Sequence, residues 1–111
     1  MVMMNFSTIS IESITPAVLK KKMEQGEDIL LVDVREPFEH DDYNIGGLLI
    51  PFGEIMKHAG LFDTSKTVVC YCAKGIRSHI AIQRLQDKFG YHNLVNLEGG
   101  MDAWQRLYTF P

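Results

Sequence analysis

Short apolar runs alternate with amphipathic stretches along this chain, and that alternation sets the expected elements. Ile9-Ser10-Ile11 reads as a short edge strand. Thr15-Pro16 opens a helix, with a hydroxyl at the cap and proline at the first helical position, and the helix is expected to reach Gln25 and stop at Gly26. Ile29-Leu30-Leu31-Val32 is a continuous apolar run of the kind a parallel sheet buries on both faces, with Asp33 at its carboxyl end. A polar connection from Arg35 to Gly47 leads to a second run, Leu48-Leu49-Ile50, closed by Pro51, and a short helix is expected over Gly53 to His58. Thr67-Val68-Val69-Cys70-Tyr71 is β-branched and aromatic, the composition of a strand. From Ser78 to Phe89, Ala81, Ile82, Leu85 and Phe89 share one stripe, which makes an amphipathic helix ended by Gly90. Leu94 to Leu97 is a further strand, Gly99-Gly100 a turn, and Met101, Trp104 and Leu107 at helical spacing make a last helix packed on the core.

Strands alternating with helices imply an α/β fold: a parallel sheet of about five strands, helices on both faces, joined by right-handed crossovers. With 111 residues the chain is expected to be a single domain over 1-111. Such sheets bind ligands beyond the carboxyl ends of their strands. Asp33, Cys72 and the Glu98-Gly99-Gly100 turn each follow a strand, so they should gather on one rim.

Composition narrows the chemistry. Apolar residues at 46%, charged residues at 23% and a net charge of -3 describe an ordinary globular protein. The basic run Lys20-Lys21-Lys22 lies within a helical pattern and reads as a solvated face, so no nucleic-acid partner is expected. No stretch has the roughly 20 apolar residues of a membrane span, and Met1 to Asn5 lacks the features of a secretion signal. A cytoplasmic location is the expectation. There Cys70 and Cys72 would stay as thiols rather than staple the fold. They offer no metal site, since no second cysteine pair exists and the four histidines are scattered; His40, His58, His79 and His92 all read as surface residues. Cys70, inside the strand, reads as packing.

Cys72-Ala73-Lys74-Gly75-Ile76-Arg77-Ser78 joins a strand to a helix N-terminus, where free N–H groups and the helix dipole favour an anionic sulfur. Gly75 permits the required curl; Ser78 could cap the helix or face the anion. A cysteine ionises near pH 8.5 unaided, and bringing that to about 6 takes roughly 3.4 kcal/mol. A helix dipole supplies about 0.3 to 2 kcal/mol, so amide hydrogen bonds, Lys74 and Arg77 must add the remainder. Arg77 offers a planar fork suited to a sulfonate, Lys74 a mobile point charge.

From about Ile29 to Leu107 the chain resembles the rhodanese family. Leu31-Val32-Asp33-Val34-Arg35-Glu36 is similar to its Asp-x-Arg strand motif, Cys72 to Arg77 to its six-residue loop, and Asn96-Leu97-Glu98-Gly99-Gly100-Met101-Asp102-Ala103-Trp104 to its C-terminal signature. The resemblance implies a three-layer rhodanese-like fold and a sulfurtransferase without cofactor. Cys72 would take a sulfane sulfur from a donor such as thiosulfate and pass it, as a persulfide, to cyanide or a thiol. It implies that amides from Ala73 to Ser78 hold the sulfur, that Lys74 and Arg77 meet the leaving sulfite or the acceptor, and that Asp33 and Arg35 shape the rim from behind, although an ordinary solvated ion pair would explain those two equally. A protein donor or acceptor is an alternative partner. Four residues separate Cys72 from Arg77, one fewer than in the related phosphatase and arsenate reductase loops, and the retained cysteine argues against a purely binding module. Asn44-Ile45-Gly46-Gly47-Leu48 departs from the family's His-Ile-Pro-Gly-Ala, a change expected to loosen that turn.

Overall fold

The computed structural model describes residues 10–108. β1 (Glu12–Ile14), β2 (Ile29–Asp33), β3 (Leu48–Leu49), β4 (Thr67–Tyr71) and β5 (Leu94–Leu97) form one parallel sheet in the order β1-β5-β4-β2-β3. β4 is therefore central, flanked by β2 and β5. Its residues alternate between two cores, as the strand period of two requires. Val68, Cys70 and, just past the strand, Cys72 join Ile55, Ala81, Ile82 and Leu85 on one side, while Val69 and Tyr71 join Leu19, Met101 and Trp104 on the other. α3 (Ile76–Phe89) and a 3₁₀ segment, Phe52–Leu61, supply residues of the first core, and α1 (Pro16–Glu24) and α4 (Gly100–Tyr108) those of the second. This is the three-layer α/β arrangement that the alternation of elements implies.

Several expectations need correction. The first strand lies at Glu12–Ile14, three residues later than expected, because there Ile14 reaches the core and the backbone pairs with β5 from Val95 to Leu97; Ile9 and Met1 to Asn5 lie outside the described residues. The polar connection after Arg35 contains a helix, α2 (Pro37–Asp42), which buries none of its residues. It is set up locally: Pro37 starts it, and Glu36 and Glu39 exchange backbone and side-chain hydrogen bonds in a capping box. The short helix expected over Gly53 to His58 is present as a 3₁₀ segment, longer than expected, that runs from Phe52 to Leu61 and loses helical geometry at His58. Phe89 and Leu107 are 49% and 59% exposed rather than core. Edge contacts with Tyr91 for Phe89, and with Tyr108 for Trp104, close those ends. Gly46 is at φ +98°, a region closed to proline, so the departure from the family pattern makes a different turn rather than a loosened one. That turn is braced by Asn44, whose Oδ1 accepts the Gly46 N–H at 2.8 Å, and by the Tyr71 hydroxyl, which donates to the Gly46 carbonyl at 3.0 Å. Among the described residues no helix is long and apolar enough to cross a membrane.

Candidate functional site

β4 delivers Cys72 to the rim, and the chain turns at Gly75, φ +91°, into α3. The thiol is buried, 1% exposed, beneath the loop. Its Sγ accepts the Gly75 N–H at 3.1 Å and the Ser78 N–H at 3.4 Å, and the Ser78 hydroxyl lies 3.3 Å away. α3 begins at Ile76, so Ser78 sits in the first turn, fully buried, and is not the cap; Gly75 holds that position without a side chain. The N–H groups of Ile76, Arg77 and Ser78, in the first turn, have no acceptor within the helix, and that of Ser78 is the one among them that reaches the sulfur.

The loop takes this shape because α4 holds its other edge. Met101 N–H donates to the Cys72 carbonyl at 2.8 Å and Asp102 N–H to the Ala73 carbonyl at 2.9 Å. Those two bonds pin the start of the loop to α4, and the chain beyond it returns the Gly75 and Ser78 N–H groups to the sulfur. The approach requires Gly100: a Cβ there would lie 2.4 Å from the Cys72 oxygen and 2.6 Å from the Ala73 oxygen. Asn96 on β5 adds a third tether. Its Nδ2 donates to the Gly75 carbonyl at 3.1 Å and its Oδ1 accepts the Ser78 hydroxyl at 2.5 Å. Asn96 was not among the expected site residues, although one polar side chain inside the run Leu94-Val95-Asn96-Leu97 is the signal that could have identified it.

Asp33 and Arg35 are buried, which excludes the solvated ion pair. Arg35 donates from Nε and Nη2 to the two carboxylate oxygens at 2.9 and 2.8 Å, its own N–H caps Oδ1 at 2.9 Å, and Nη2 also reaches the Tyr43 carbonyl. Burial opposes ionisation of Asp33, but the hydrogen bonds from Arg35 and His40 outweigh it and hold the carboxyl below its ordinary range. Burial likewise works against the Arg35 charge and is outweighed by Asp33. His40 is not a surface histidine: its Nδ1 is 2.8 Å from Asp33 Oδ2, and since a carboxylate only accepts, the imidazole donates. These groups do not meet the sulfur. They fix α2 against the end of β2.

α2 in turn carries Glu39, which grips Arg77. The guanidinium donates from Nη1 and Nη2 to the two Glu39 oxygens at 2.9 and 3.0 Å. These bonds, more than the opposing effect of burial, bring Glu39 down to about 2 and raise Arg77. Glu39 was also absent from the expected residues, because its partner is 38 positions away. Lys74 is 74% exposed and stands 3.9 Å from Asp102. A hollow of about 320 Å³ opens over the sulfur, lined by Cys72, Ala73, Lys74, Ile76 and Arg77. Beside it lies another of about 350 Å³ whose lining includes Ala73, Phe38, Glu39, Asp42 and Asp102. Cys70 plays no part: it is fully buried, and burial pushes its thiol up to about 12. Among the described residues no cluster of His, Cys, Asp and Glu could hold a metal ion.

Comparison with known proteins identifies the family and the fold. The family model for the rhodanese-like domain matches residues 15–107. The "Probable adenylyltransferase/sulfurtransferase MoeZ" of Mycobacterium tuberculosis is 37% identical over 97 residues, 85% of this chain and 24% of that protein, so the chain spans about a quarter of that relative's length. A sulfurtransferase of Allochromatium vinosum is 36% identical over 89 residues, covering 79% of this chain and 82% of that one. Among solved structures, a rhodanese-related protein from Thermoplasma volcanium superposes with a TM-score of 0.76 at 30% identity, covering 90% of this chain and 95% of the other.

Proposed function

The chain belongs to the rhodanese-like domain family, and from that premise we propose that it is a sulfurtransferase working through a persulfide on Cys72. The observation that carries the reading is the pair of N–H groups, from Gly75 and Ser78, aimed at one buried sulfur at the start of a helix. Hydrogen bonds to an anion are roughly twice as strong as those between neutral groups, and these two N–H groups are placed to donate to the sulfur that attacks and is later released.

In the first half-reaction the Cys72 thiolate attacks the outer sulfur of a donor such as thiosulfate. An Sγ–S bond forms, the donor's S–S bond breaks, and its electron pair leaves with sulfite. In the second, cyanide or a thiolate attacks the same outer sulfur and the electron pair returns to Sγ. Charge and electrons balance without a cofactor or metal. The outer sulfur would project into the hollow above Cys72, next to the first turn of α3, whose Ile76 and Arg77 line it. The loop from Ala73 to Ser78 is then the binding element, with Lys74 and Arg77 at its mouth. Asp33 and Arg35 act at a distance by anchoring α2. A protein donor or acceptor would use the same two half-reactions, and a reducing cytoplasm would suit two free thiols. The short loop between Cys72 and Arg77 fits a sulfur atom better than a phosphate.

The test is the intact mass after exposure to thiosulfate. The wild type should gain one sulfur, lose it to cyanide, and gain none as Cys72→Ser. A Cys72→Ser variant that still produces thiocyanate at the wild-type rate would end the covalent reading.

A further inference from the structure

The mouth of the Cys72 hollow holds two cations, and each already faces a carboxylate. Arg77 is held by Glu39 in two-point contact, and Lys74 stands near Asp102. The Arg77–Glu39 pair lies on the divide between the two hollows: Arg77 lines one, Glu39 the other, and Ala73 both. Glu39 is not free to withdraw. Its Oε1 also accepts the Glu36 N–H at 2.9 Å, and α2 is tied to Asp33 through His40. An inorganic dianion arriving at this mouth therefore meets an electrically balanced surface, and must draw Arg77 away from a carboxylate set against it. An organic donor meets something different. Ile76 at 64% and Phe38 at 73% exposure offer apolar surface on either side of the pair, of no use to a sulfonate.

We propose that Glu39 is a specificity-determining residue: by holding Arg77 it disfavours sulfonate donors such as thiosulfate and leaves Cys72 better matched to organic persulfides, R–S–SH. The inference rests on the sulfurtransferase reading above. The step is balanced as before: the Cys72 thiolate attacks the outer sulfur of R–S–SH, the Sγ–S bond forms, and the donor's S–S bond breaks with its electron pair leaving on R–S⁻. The product is Cys72–S–SH, and no oxidant or reductant enters.

The experiment measures the rate of sulfur gain at Cys72, by quenched-flow intact mass, with thiosulfate and with cysteine persulfide. The wild type should load faster from cysteine persulfide at equal concentration. Glu39→Gln keeps the shape and the Glu36 contact but removes the charge. It should raise the second-order rate with thiosulfate about three- to tenfold, less as salt is added, while the rate with cysteine persulfide changes less than twofold. An unchanged or slower thiosulfate rate, or equal gains with both donors, overturns the proposal. Should Glu39→Gln lose its fold by circular dichroism, Arg77→Gln serves instead. It leaves Glu39 uncompensated and should slow thiosulfate loading more than tenfold and persulfide loading far less; equal losses overturn the proposal. If neither donor loads wild-type Cys72, the sulfurtransferase reading itself has failed, and Glu39 with it.

Discussion

Ser78 has one hydroxyl hydrogen and two neighbours placed to receive it, Cys72 Sγ at 3.3 Å and Asn96 Oδ1 at 2.5 Å. Asn96 decides between them. Because its Nδ2 is engaged by the Gly75 carbonyl, its Oδ1 is left as an acceptor, and the shorter contact takes the hydrogen. Asn96 thus orients both the Ser78 hydroxyl and the Gly75 peptide that donates to the sulfur. Truncating it should leave the Gly75 carbonyl without this donor and the Ser78 hydroxyl with only the weaker sulfur acceptor, costing about 1 to 3 kcal/mol, and let the Gly75 N–H drift from Sγ. We expect Asn96→Ala to lower the denaturant midpoint and to slow sulfur loading at Cys72 by tenfold or more. Loading at the wild-type rate in that variant would remove Asn96 from the site. Reading the sequence did reach the loop from Cys72 to Ser78, because its chemistry is local: thiol, glycine, cations and helix start are consecutive. Asn96, Glu39 and the His40 contact with Asp33 escaped it, since each depends on a partner that only the fold brings near.

At the scale of elements, the loop is a joint between β4 and the first turns of two helices, α3 on one side and α4 on the other. α4 contributes through Gly100, whose φ of +59° and lack of a Cβ bring Met101 and Asp102 N–H groups onto the loop carbonyls. Gly100→Ala adds left-handed strain to a clash with backbone, so we expect a stability loss of about 2 to 5 kcal/mol and loss of sulfur loading in whatever fraction stays folded. An unfolding midpoint equal to the wild type would show that α4 can retreat freely. The strands β2, β4 and β5 and the body of α3 were legible because burial marks their residues, as short apolar or β-branched runs in the strands and as a 3.6-residue stripe in the helix. α2 left no such imprint: it buries none of its residues, and what holds it is a capping box, the His40 hydrogen bond to Asp33 and the Glu39–Arg77 ion pair. The turn at Gly46 was misjudged for a related reason, because a missing proline looks like lost restraint until the Tyr71 and Asn44 bonds are seen.

Across the whole molecule, charge ties the rim together in series. Arg35 and His40 meet on Asp33, His40 belongs to α2, and α2 presents Glu39 to Arg77 on α3. Both carboxylates in that series ionise below their ordinary range, Glu39 at about 2. The sign follows from proton counting. The unfolded chain, with ordinary carboxyls near 4, binds more protons than the folded one between pH 2 and 5, so folding stability must rise with pH across that window. The contribution is complete above about pH 5 and is withdrawn as pH falls through the folded values. For the Glu39–Arg77 pair, which solvent partly screens, it should be of order 1 kcal/mol at neutral pH. Glu39→Gln cannot titrate there, so the stability gap between it and the wild type should be widest near pH 7 and close as the pH approaches 2. Urea unfolding of both proteins at pH 7, 5, 4 and 3 checks this, and a gap that stays constant or widens towards acid would mean that Arg77 does not stabilise the Glu39 carboxylate.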